Sequence, residues 1–114
     1  MDLARWIFLG AGAIGLSMFV LRVVNHANPP RALAFLHGLV VLCGVGVLVH
    51  AMFNQPHPAR AGMALLLLGI AGTAGAYLAF VDTKGELVPV DQVVVHGALA
   101  TAGVLTVFSL AATC

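Results

Sequence analysis

The sequence predicts an all-α integral membrane protein: a four-transmembrane-helix bundle made from one helical hairpin duplicated in tandem. Three observations predict it: an extreme composition, four long apolar runs, and a histidine motif that recurs in the second half. Of the 114 residues, 61% are hydrophobic and 8% charged, with a mean hydropathy of +1.08, whereas soluble domains carry about 25% charged residues. A spanning helix takes about 20 mostly apolar residues. Four helices and their loops therefore account for a single membrane domain, 1–114, with no room for a separate catalytic domain.

The first helix is expected over about 3–24, closed by Asn25-His26-Ala27-Asn28-Pro29-Pro30, where the paired prolines forbid continuation. The run near Met1 lacks a multiply charged leader and a cleavage-site pattern, so it reads as a retained helix. The second helix covers about 31–53 and stops at Asn54-Gln55-Pro56-His57-Pro58. The third covers about 59–81 and ends in the charged turn Asp82-Thr83-Lys84-Gly85-Glu86. The fourth covers about 88–112, with Pro89 in its first turn, where a missing N–H costs nothing. Loops this short make sequential helices antiparallel.

Charge and motifs exclude several function classes. A formal net charge of +1 with no basic stripe argues against nucleic acid as a partner. Cys43 and Cys114 have neither metal-site nor redox spacing. There is no nucleophile–base–acid set and no phosphate-binding glycine loop, so no independent catalysis is expected beyond quinone-linked redox turnover. Asp2, Asp82, Glu86 and Asp91 all lie at helix ends or in loops, which ranks a small proton-coupled transporter low, because coupling normally needs a carboxylate within the membrane. Arg5 and Arg60 fall on one side and Arg22, Arg31 and Lys84 on the other, a balance that favours the second side as cytoplasmic; the expected location is a bacterial inner membrane.

His37-Gly38 followed by Gly44-Val45 recurs as His96-Gly97 followed by Gly103-Val104, 59 positions on. Two helices separate equivalent positions, so the copies share one orientation and are related by a pseudo-twofold axis along the membrane normal. Helices two and four then run parallel, and each histidine lies about six residues, or ~9 Å, into its helix from the same side. Two neutral imidazoles at one depth can supply both axial nitrogens of a haem iron without placing charge in lipid. Gly44 and Gly103 follow at i+7, about 20° around the wheel from each histidine, and would offer side-chain-free surface to a flat macrocycle.

On His37, Gly44, His96 and Gly103 the chain resembles the small four-helix membrane b-type cytochromes. That resemblance spans the whole chain and implies haem b held by His37 and His96, with electrons exchanged with quinone or a larger redox complex. Gln92, on the face of His96, is a candidate to bond a haem propionate or orient an imidazole. Arg31 either pairs with a propionate or extends to the interface. Many such cytochromes stack a second haem. Here His50 stands 13 residues from His37, about 220° around the helix, and helix four offers Ser109 where its partner would be expected, which leaves His57 as a substitute ligand.

The plainer reading of the histidine pair is interhelical hydrogen bonding, worth about 0.6–2 kcal/mol per contact. The chain would then be a cofactor-free accessory subunit, in a homo- or hetero-oligomer. His26 is expected in solvent, Trp6 and Tyr77 in the aromatic belt, and the small-residue stripes Ala11-x3-Gly15 and Ala71-x3-Gly75 as close-packing faces.

Overall fold

The computed structural model describes the backbone of residues 2–54 and 58–113 and the side chains of 2–54 and 59–110. Its four helices are α1 (Asp2–Asn25), α2 (Arg31–Asn54), α3 (Pro58–Thr83) and α4 (Val90–Thr113). Each is long and apolar enough to cross a membrane. At 1.5 Å per residue a 24-residue helix spans about 36 Å, more than the roughly 30 Å hydrocarbon layer. Asp82 and Thr83 belong to α3 rather than to the turn.

The helix ends follow from local chemistry. His26 takes a left-handed φ of 51° and stops α1, a position that glycine or asparagine usually fills. The Pro30 carbonyl accepts the N–H groups of Leu33 and Ala34 and starts α2. At the end of α3, Gly85 has φ 76°. The Gly85 N–H reaches the Asp82 carbonyl and the Glu86 N–H reaches that of Val81, the paired bonds of a Schellman cap. Val93 N–H donates to the Pro89 carbonyl as α4 begins.

The bundle is a rod 45 Å long and 19 Å across. α1 packs on α2 and α4, and α3 on α4 and α2; among the described residues the diagonal pairs α1/α3 and α2/α4 make no close backbone approach. α2 and α4 therefore run parallel across the bundle axis. Large apolar side chains cover the outside, including Phe35, Leu42, Leu66 and Phe53, the last 82% exposed. Ser17, Thr73, Thr101 and Thr106 turn their hydroxyls back onto carbonyls four residues earlier. Both features suit a surface that meets hydrocarbon rather than water.

The two ends of the rod differ. One, formed by the starts of α1 and α3 and the ends of α2 and α4, holds an apolar cluster of Ala4, Phe8, Leu48, Ala61, Ala64, Leu68, Val107 and Leu110. Gly44 and Gly103 belong to it: a Cβ on Gly44 would lie 2.9 Å from the Phe8 ring, and one on Gly103 2.8 Å from Leu68. The other end is clasped by polar bonds between the two loops there. Asn28 Nδ2 donates to Asp82 Oδ1 and to the Glu86 carbonyl, and its Oδ1 accepts the Val88 N–H.

Candidate functional site

His37 and His96 meet across the bundle axis, between the packed end and the clasped end. Their ring centres are 6.3 Å apart and their planes 78° apart. Each ring is held by the first helix of its own hairpin. His37 Nδ1 lies 3.0 Å from the Ala11 carbonyl of α1, and His96 Nδ1 lies 2.7 Å from the Ala71 carbonyl of α3.

Local sequence explains why these carbonyls are reachable. In a helix the side chain at i+4 covers the carbonyl of residue i, because Cβ points back towards the N-terminus. At i+4 from Ala11 and Ala71 stand Gly15 and Gly75. A Cβ on Gly15 would lie 3.1 Å from His37 Cε1, and one on Gly75 2.9 Å from His96 Cε1. The missing side chains are therefore the seats of the two imidazoles.

A carbonyl oxygen only accepts, so Nδ1 carries the proton in both rings. In the neutral tautomer Nε2 is then a lone-pair nitrogen. No hydrogen bond reaches either Nε2 among the described residues, and no buried side-chain nitrogen lacks a partner, so both open on accessible space. Protonated Nδ1 on a carbonyl with Nε2 free is the arrangement that metal-ligating histidines use. With a metal–nitrogen bond of about 2 Å and each nitrogen about 1 Å from its ring centre, two imidazoles sharing one metal have centres roughly 6 Å apart. The observed 6.3 Å is compatible with that spacing and equally with an edge-to-face contact between the two rings.

The other candidates lie elsewhere. Gly44 and Gly103 are filled by Phe8 and Leu68 and do not face the space between the histidines. Arg31 is paired with Asp82, Nε to Oδ2 at 3.1 Å and Nη2 to the Asp82 carbonyl. Gln92 is exposed and lines an outward groove between α3 and α4 with Thr73, Tyr77 and Val95. His50 is exposed near the packed end, Ser109 Oγ donates to the Thr106 carbonyl, and His57 lies outside the described residues. His26 is exposed in the first loop.

Among the described residues no group of three or more histidine, cysteine or acidic side chains could hold a metal ion. Two nitrogens alone suit a metal that brings its remaining ligands with it, as haem iron does. Sequence reasoning passed over Ala11, Gly15, Ala71 and Gly75 as site residues. The signal was present as an A-x3-G step in the hairpin partner of each histidine helix, read there only as packing. Comparison with protein-family models, curated proteins and solved structures finds no match to this chain.

Proposed function

We propose that the chain is an integral membrane electron-transfer protein holding one b-type haem between His37 and His96. It exchanges electrons with a quinone or a partner redox complex. The observation that carries the reading is the matched histidine pair: rings 6.3 Å apart, each Nδ1 fixed by a backbone carbonyl. Bound haem supplies the one-electron chemistry. The chain's own residues orient the two imidazoles and exclude water with the apolar cluster beneath them.

A duplicated hairpin accounts for the match. Ala4, Phe8, Ala11 and Gly15 correspond to Ala64, Leu68, Ala71 and Gly75 sixty positions on, and His37 and Gly44 to His96 and Gly103. Corresponding residues make corresponding contacts: Phe8 fills Gly44 as Leu68 fills Gly103, and each histidine sits on an alanine carbonyl beside a glycine. Duplication brings equivalent groups together on a twofold axis, an arrangement that suits bis-histidine ligation.

The alternative, a cofactor-free accessory subunit, draws on the same bonds, because carbonyl contacts also satisfy a structural histidine. Absorption spectra separate the two. Protein purified from haem-supplied cells is expected to show a b-type reduced-minus-oxidised band that His37→Ala and His96→Ala each abolish. No such band in the wild type, or equal haem in all three proteins, would overturn the haem reading.

A further inference from the structure

Arg22 is the one buried charged side chain among the described residues, 8% exposed. It continues the inward stripe of α1 through Ala4, Phe8, Ala11 and Gly15. Seven residues beyond Gly15, it lies two turns, about 10 Å, from the His37 seat towards the clasped end. Its Nε donates to the Val88 carbonyl at 2.9 Å. The Nη groups donate to nothing among the described residues and open on accessible space.

A largely buried guanidinium whose Nη donors are unfilled can take an anion. The ion pairs among the described residues are Arg5–Asp2 and Arg31–Asp82, neither of which involves Arg22. Of the acids at the clasped end, Asp82 has its Oδ1 taken by Asn28 and its Oδ2 by Arg31, and neither Glu86 in the loop nor Asp91 in the first turn of α4 forms an ion pair with Arg22 among the described residues. The opposite side of the histidine pair is closed by Phe8, Leu48, Leu68, Val107 and Leu110, all apolar. A ligand between the histidines that carries carboxylates meets an apolar cluster on one side and the buried cation Arg22 on the other.

We infer that Arg22 is the anion anchor of the histidine site, its Nη groups taking a propionate carboxylate of the haem. The inference rests on the haem reading. It assigns to Arg22 the contact for which Arg31 and Gln92 are the sequence-level candidates, and it orients the macrocycle with its carboxylates under the 26–30 and 84–89 loops.

The test compares haemin with haemin dimethyl ester, whose carboxylates are capped, titrated into detergent-solubilised protein from haem-depleted cells. Wild type is expected to bind haemin roughly tenfold tighter than the diester, the size of a charge-assisted hydrogen bond. Arg22→Gln loses that preference, Arg22→Lys keeps most of it, and Arg31→Gln keeps it whole. A purely structural Arg22 would weaken both ligands equally and leave the ratio unchanged in Arg22→Gln, which overturns the anchor. Equal wild-type affinities overturn it without any variant, so a poorly folding Arg22→Gln does not shield it. Binding of neither ligand by wild type brings down the haem reading and the anchor with it. An Arg22-dependent gain in binding to phosphatidylglycerol over phosphatidylcholine vesicles, with the haemin preference intact in Arg22→Gln, assigns the guanidinium to a lipid phosphate and also overturns the anchor.

Discussion

The packed end and the histidine half of the rod are built on the same helix stripes and solve opposite problems. At the packed end, Phe8 and Leu68 reach across to Gly44 and Gly103 and fill the interior with protein atoms. One turn along α1, and likewise along α3, the stripe continues through Ala11 and Gly15, or Ala71 and Gly75, small residues at the level of the histidines. The glycines there receive imidazoles from the opposite helix of the hairpin. A glycine facing a bulky residue makes packing, and a glycine facing a histidine makes a seat.

The sharpest way to break this comparison is to fill a seat. Gly75→Leu drives a side chain into the His96 ring, already 2.9 Å from where a Cβ would sit. On the proposed haem function, it is expected to abolish the b-type absorption band while circular dichroism retains the helix content. An unchanged spectrum would show that the seat does not orient the ligand.

Next in size, Gly103→Ala puts a Cβ 2.8 Å from the Leu68 side chain and 3.3 Å from its backbone nitrogen. The second contact cannot rotate away, so α3 and α4 must part. The expected loss is about 1–3 kcal/mol in a denaturant titration, with the proposed haem band preserved because the change lies at the packed end.

Asn28→Ala removes two donors and one acceptor that tie the 26–30 and 84–89 loops together. Water compensates in part at this partly exposed site, so the expected cost is about 1–2 kcal/mol, with faster hydrogen exchange at the Val88 amide. Smallest of all, Gly97→Ala adds a methyl where nothing lies within 4 Å. It should move stability by no more than about 0.5 kcal/mol. A larger loss would show that the outer face of α4 is packed against another chain.

Much of the architecture was legible in the residues. Proline pairs at 29–30, Pro56 and Pro58, and the glycine turn at Gly85 divide four apolar runs, because backbone groups in an apolar medium must be bonded within a helix and such breaks interrupt it. The motif spacing placed His37 and His96 at one depth on parallel helices. The roles of individual glycines were not legible. Gly44 and Gly15 look alike in sequence, and the neighbouring helix decides whether phenylalanine or histidine arrives opposite. Arg31 and Arg22 likewise differ only by what the folded loops bring near them: Asp82 reaches one and leaves the other buried with a single carbonyl.

Taken alone, the sequence determined four apolar helices, their order, their turns and the two histidines worth attention. These follow from local rules of helix continuation and from spacing along one chain. Which helices lie on the diagonal, which carbonyls receive the imidazoles, and which arginine turns inward were decided only by tertiary packing. Each depends on groups 25 to 66 residues apart meeting at distances near 3 Å, and no local rule spans that separation.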